Sequence, residues 1–224
     1  MAEMRFASIV LDVDSTLCGI EGIDFLAARR GPDVGERIAE LTDRAMRGEI
    51  ALEDVYGERL AIIQPTASDL HVLGDAYAAT IAPDADEIIR GLRDAGVRLA
   101  LVSGGIRQAI APVATRLGFD NASLHAVALS FDAVGDYVGY DVSSPLTTQM
   151  GKKEVVRALV EKQMLTRPVL AVGDGSTDVA MGQIADRFAA FTGFVRRPAV
   201  VRAAHLEIGS FRELMGVVLD EPPG

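Results

Sequence analysis

The chain has 224 residues, 49% hydrophobic and 24% charged, enough for a folded domain with a sizeable core and no long disordered tail. Its net charge of −10 argues against a general affinity for nucleic acid, because a phosphate backbone demands clustered Lys and Arg. No apolar run reaches the ~18 residues that span a bilayer; the first residues carry no secretory signal pattern, and the single Cys18 allows no internal disulfide. The expectation is a cytoplasmic protein that meets neither membrane nor nucleic acid.

The first apolar run, Phe6 to Leu11, ends at Asp12 and Asp14. Between Cys18 and Thr80 no strand pattern follows. Val34, Ile38, Leu41 and Ala45 fall on one helical face, and Leu52, Val55, Leu60 and Ile63 continue the apolar supply before Pro65. This segment reads as a small helical cap inserted after the first strand. After Pro83 and Asp84 the spacing of Ile88, Ile89, Leu92 and Ala95 predicts a helix capped by Gly96.

The run Val97 to Val102 ends at Ser103. A helix carrying Ile106, Ile110, Val113 and Leu117 is expected to stop at Gly118, with Pro112 either kinking it or marking a late start. Alternation from Val127 to Tyr140 around Gly135 and Asp136 predicts a β-hairpin on a sheet edge. Val155, Val156, Leu159 and Val160 predict another helix, and the run Val169 to Val172 ends at Gly173 and Asp174.

Short runs of Val, Ile and Leu without alternation suit strands buried on both faces of a parallel sheet. Alternating with helices, they predict an α/β chain with a three-layer, Rossmann-like core. The core is expected to take residues 1–17 and 81–224, and the helical cap residues 18–80. Ligands bind such sheets beyond the carboxyl ends of the strands, which singles out Asp12, Asp14, Ser103, Asp174 and Asp178. Any one of them could simply cap a helix; together they place several carboxylates and a hydroxyl at one edge. Grouped carboxylates call for a hard cation, and Mg²⁺ suits an all-oxygen donor set. His71, His125 and His205 are isolated, which argues against zinc.

These residues also carry a resemblance. Asp12-Val13-Asp14-Ser15-Thr16 resembles the first motif of haloacid dehalogenase superfamily phosphatases, Ser103-Gly104-Gly105 the second, Lys152 the third, and Gly173-Asp174-Gly175-Ser176-Thr177-Asp178 the fourth. In the cap, Glu21-Gly22-Ile23-Asp24, Arg44-Ala45-Met46 and the stretch Glu58 to Pro65 are similar to phosphoserine phosphatases. The resemblance implies a hydrolase of small phosphomonoesters, in serine biosynthesis, working through an aspartyl phosphate. It makes Asp12 the nucleophile and Asp14 the acid that protonates the leaving alkoxide and then activates water. It assigns Mg²⁺ to Asp12, the main-chain carbonyl of Asp14, and Asp174, with Asp178 ordering the surroundings.

Ser103, Gly104 and Lys152 would hold the phosphoryl oxygens, Lys152 being preferred to its neighbour Lys153 because it follows Gly151. Glu21 and Arg59 would take the ammonium and carboxylate of phosphoserine, with Thr177 touching substrate and Met46 and Leu52 walling the closed pocket. Ile106 and Val127 depart from the family pattern, which bears on substrate detail more than on chemistry. Two rival readings stand. One is a phosphatase or phosphotransferase for another ester such as phosphohomoserine; the other is a phosphate-binding or receiver-like signalling domain, which would need neither the cap nor an acid at Asp14.

Overall fold

A computed structural model describes residues 5–46 and 49–219, and the side chains of Asp43, Ala45, Met46 and Leu52 lie outside what it describes. The chain opens with β1 (Ser8–Leu11), followed by α1 (Gly22–Arg29), α2 (Pro32–Met46), α3 (Leu52–Ile63), α4 (Ala67–Ala79) and α5 (Ala85–Asp94). Then come β2 (Arg98–Ile106), α6 (Arg107–Arg116), β3 (Leu124–Val127), β4 (Leu129–Phe131) and β5 (Tyr137–Tyr140). The rest is α7 (Gly151–Glu161), β6 (Val169–Gly173), α8 (Ser176–Met181), β7 (Arg187–Phe191), α9 (Pro198–Ala203), β8 (Leu206–Ile208) and α10 (Phe211–Leu219).

Six strands form one parallel sheet in the order β3-β2-β1-β6-β7-β8. Ile9, Val10 and Leu11 on β1 and Val169 to Val172 on β6 are wholly buried, so both sheet faces are covered, as the unbroken apolar runs require. Order reverses at β1, because the chain leaves it toward β2 and returns on its other side as β6. A crevice opens beyond the strand ends at such a switch point. The register pairs Leu11 with both Leu101 and Val172, so Asp12 emerges beside Val102 and Gly173, with Ser103 and Asp174 one residue further on.

The helices α1 to α4 lie between β1 and β2 in sequence, and no strand interrupts them. Both crossings into this segment are tied together: Gly19 N donates to the Thr80 carbonyl at 2.8 Å, and Ala82 N to the Leu17 carbonyl at 2.8 Å. Helix α4 starts on a reciprocal capping box, Thr66 with Asp69, and Arg30 at the end of α1 clamps Asp69 at 2.5 Å. That fixes where α4 begins and therefore where its far end falls.

The hairpin differs from expectation. Leu129 to Phe131 and Tyr137 to Tyr140 pair as a separate two-stranded antiparallel sheet, while Val127 ends β3 on the main sheet's edge. Val127 is fully buried and pairs with Ile106, so its pairing places it on the large sheet rather than in the hairpin, where Leu129 is buried too. The hairpin turns at Gly135, whose φ of +93° favours glycine, and Asp132 Oδ1 accepts from the amides of Val134 and Asp136. Helix α6 already begins at Arg107, so Pro112 does not delay it; Pro112 sits on its exposed side.

Candidate active site

Asp12 leaves the end of β1, and its amide donates to the Val172 carbonyl of β6 at 3.0 Å. Asp174 leaves β6, and Asp178 stands in the first turn of α8. All three are buried, and one carboxylate oxygen from each lies within 4.8 Å of the others. Three anions at that spacing repel strongly in a medium poorer than water, and something positive must answer them.

Lys152 answers part of it. Its Nζ lies 2.7 Å from Asp12 Oδ1 and 2.6 Å from Asp178 Oδ1, and its side chain is buried. Position depends on Gly151, where a Cβ would fall 1.7 Å from the Pro145 carbonyl oxygen. Only glycine lets α7 start so close to the 3-10 turn Pro145–Thr147, and that start sends Lys152 inward. Lys153 instead reaches Gln183 at the surface. Asp178 is fully engaged, since its Oδ2 also accepts from the Gly175 amide at 2.8 Å. A Cβ on Gly173 would collide with the Asp178 carboxyl carbon at 2.2 Å, so that glycine makes room for it.

Asp14 faces the cluster from the turn after β1, where Ser15 takes a left-handed φ of 51° that few side chains tolerate. Its Oδ1 accepts a 2.5 Å hydrogen bond from Tyr77. Ser103 is buried within β2, three residues before that strand ends, and its hydroxyl oxygen accepts from the Gly105 amide at 3.0 Å. The Gly104 carbonyl accepts from Tyr56 of α3 at 3.0 Å, and the Tyr56 ring meets Tyr140 of the hairpin.

Glu21 stands at the cleft mouth, accepting from Ser15 at 2.7 Å and from Arg197 at 3.3 Å. Arg59 lies over the Tyr56 ring at 5.9 Å with its Nε buried and without a hydrogen-bond partner. Thr177 is half-buried at the start of α8. Arg197 was not singled out from sequence: its Nη1 pairs with Asp174 Oδ2, so it links Asp174 to Glu21 across the cleft. It follows β7, a fourth strand tip at the same edge, and recognition of β7 would have led to it.

Charge crowding shows in the proton affinities. Burial, then the Asp178 charge, pushes the Asp12 carboxyl up to about 7, with Lys152 opposing. Asp14 is held well above the usual range by desolvation and then by Glu21 and Asp12. Burial opposes the Lys152 charge, yet Asp12 and Asp178 outweigh it and hold the ammonium above its ordinary value. Burial lowers Arg59, with Asp24 opposing.

A stability prediction follows for metal-free protein. Between the ordinary Asp value of 3.8 and about 7, the folded form holds a proton on Asp12 that the unfolded chain releases. Rising pH across that window therefore removes stability. His125, which burial lowers, works the other way. The Asp12→Asn variant has the same His125, so comparing the two proteins in a chelator cancels His125 and leaves Asp12 together with the part of the Asp14 rise that the Asp12 charge causes, which acts in the same direction. The melting temperature of wild type should fall relative to the variant from about pH 5 to about pH 7.5. Parallel curves would contradict the assignment.

The cluster fits a hard divalent cation. The donors are all carboxylate oxygens, and among the described residues Lys152 and Arg197 set two positive charges against the three buried carboxylates and the nearby Asp14. An arrangement of one carboxylate at a strand tip, a second two residues on, a hydroxyl and a buried lysine supports nucleophilic attack with acid–base assistance on an anionic electrophile.

Comparison with known proteins agrees with this chemistry. Residues 6–186 match the family described as haloacid dehalogenase-like hydrolase. The mouse phosphoserine phosphatase is 34% identical over 93% of this chain and 92% of its own. The Arabidopsis thaliana chloroplastic phosphoserine phosphatase is also 34% identical, over 93% of this chain and 70% of its own. A structure of a phospho-aspartyl intermediate analogue of phosphoserine phosphatase superposes with a TM-score of 0.78 at 26% identity, covering 95% of this chain and 98% of that one.

Proposed function

The chain belongs to the haloacid dehalogenase-like hydrolases, and from that premise we propose that it is a magnesium-dependent phosphoserine phosphatase, releasing L-serine and phosphate. The reading rests above all on the buried Asp12 and Asp174 at adjacent strand tips, with Lys152 locked between Asp12 and Asp178. Relatives named phosphoserine phosphatase, matching almost end to end, support the substrate.

Asp12 attacks the phosphorus and forms an acyl phosphate, while the serine oxygen leaves. Asp14 gives that oxygen a proton, then takes one from the water that opens the acyl phosphate. Its elevated proton affinity suits it to start protonated beside an ionised Asp12. Ser103, the Gly104 amide and Lys152 hold the equatorial oxygens, where charge accumulates. Asp12, the Asp14 carbonyl and Asp174 would hold Mg²⁺, with Asp178 orienting Lys152 and the loop. When bound, the ion supplies Lewis-acid neutralisation of the phosphoryl charge.

Residues 18–80 serve as a cap over the site, and Tyr56, bonded to Gly104, fastens it to the phosphate loop. Glu21 and Arg59 read the ammonium and carboxylate, and Arg197, already on Glu21, belongs to the same pocket. Thr177 contacts substrate from the start of α8. No helix among the described residues is long and apolar enough to cross a membrane, and the buried free Cys18 fits a reducing compartment such as the cytoplasm.

The test is phosphate release from L-phosphoserine, phosphohomoserine and a panel of sugar phosphates, with Mg²⁺ or with chelator. Release from L-phosphoserine should dominate and should stop in chelator. Equal rates across the panel would leave a phosphatase of another ester; no release, or release indifferent to chelator, would overturn the reading.

A further inference from the structure

Tyr77 carries a bond that none of the roles above uses. It is wholly buried in the last turn of α4, the helix whose start is fixed by Thr66, Asp69 and Arg30. With Leu70, Leu73 and Gly74 it continues the helix's buried face at heptad spacing, so its ring belongs to the core. Its hydroxyl does not. That group reaches Asp14 Oδ1 at 2.5 Å, at the place where the helical segment rejoins the sheet.

The other Asp14 oxygen is placed by the same bond. An ideal Cβ on Gly105 would lie 3.1 Å from Asp14 Oδ2 and 3.1 Å from the Ser103 hydroxyl oxygen, so Oδ2 borders the phosphate loop. A carboxylate is free to rotate unless one oxygen is tied. Tied through Oδ1, Asp14 presents Oδ2 to the reacting centre. Gly22 leaves the space this needs, since a Cβ there would fall 2.2 Å from the Tyr77 hydroxyl.

We propose that Tyr77 is the positioning residue of the acid–base step: by holding Asp14 Oδ1 it aims Oδ2 at the leaving oxygen and then at the attacking water. This rests on the phosphatase reading above. The same Oδ2 carries the proton to the serine oxygen and later receives one from water, so both half-reactions depend on one orientation. A purely structural tyrosine, with its hydroxyl on Asp14 only to satisfy burial, predicts something else: fewer folded molecules, each working at the normal rate.

Rapid-quench experiments with labelled L-phosphoserine separate these. Rate constants for phosphoenzyme formation and for its hydrolysis are measured in wild type and in Tyr77→Phe, the burst amplitude reporting the folded fraction. Both constants should fall about tenfold, a part of what a positioned acid or base contributes, while affinity for L-phosphoserine, measured in an Asp12→Asn background, stays within about twofold. Should Tyr77→Phe fail to fold, Gly22→Ala displaces the hydroxyl without removing it, and the same paired loss is expected. Unchanged constants in either folded variant, or a loss confined to amplitude or affinity, would overturn the proposal. Absence of any labelled phosphoenzyme in wild type would instead strike at the phosphatase reading itself.

Discussion

Asp12→Asn should abolish phosphate release, lowering kcat by ~10⁴-fold or more, as removing a nucleophile does when no other group can replace it. The amide matches the carboxylate in shape and keeps the Val172 contact through its main chain. What it loses is the electron pair that attacks phosphorus. Acid quench during turnover should trap label on wild type and none on the variant. Stability makes the loss specific. Asp12 is buried and its charge is opposed by desolvation and by Asp178, so an uncharged side chain relieves both costs in metal-free protein. Lys152 gives up one partner but keeps Asp178 at 2.6 Å. The variant should therefore melt no lower than wild type in chelator at neutral pH and still bind L-phosphoserine. Activity within about tenfold of wild type would mean that water attacks the ester directly.

Much of this site is legible in the sequence, because its parts sit where sequence signals are strongest. The runs ending at Leu11, Val102 and Val172 are apolar on both faces, and a polar residue directly after such a run is a strand tip. Asp12 follows from that directly and Asp174 one residue later, after Gly173, while Ser103 follows the apolar run although the strand itself continues to Ile106. Strands β7 and β8 are less legible. Arg187 to Phe191 reads RFAAF, with two alanines that carry little strand preference, and Leu206 to Ile208 is three residues with a charge in the middle. Missing β7 meant missing Arg197, which enters the cleft from the loop after it.

The tyrosines failed for another reason. Tyr56 and Tyr77 continue apolar stripes on their helices, and sequence counts a ring there as core. Where the hydroxyl goes depends on how a helical segment docks on the sheet, and no local pattern encodes that. The hairpin starts at Leu129 rather than Val127: alternation alone cannot tell Val127, paired on the main sheet, from Leu129, equally apolar and also buried, at the start of the hairpin.

Lys152→Met is the sharper test of the electrostatics. Methionine keeps most of the stem's volume, so packing beside α8 changes little while the charge disappears. In metal-free protein burial and Asp178 hold the Asp12 carboxyl at about 7, and Lys152 is what keeps it from rising further, whether or not a cation is bound beside it. Without the ammonium its proton affinity must climb, so the nucleophile is protonated at a pH where wild type works. Phosphate release should fall by ~10²–10³-fold, and the acid limb of kcat/KM against pH should move to higher pH. Stability must respond with the same sign. At a pH where the carboxylates are ionised, Asp12 and Asp178 lose their shared counter-ion, and breaking such a buried pair costs about 3–5 kcal/mol. In acid, where Asp12 takes up its proton, the cost should shrink. Lys153→Met is the control, since Lys153 reaches Gln183 at the surface and should be near neutral in both measurements. A Lys152→Met enzyme with an unmoved pH profile and wild-type melting would show that the ammonium neither tunes Asp12 nor holds the cluster together.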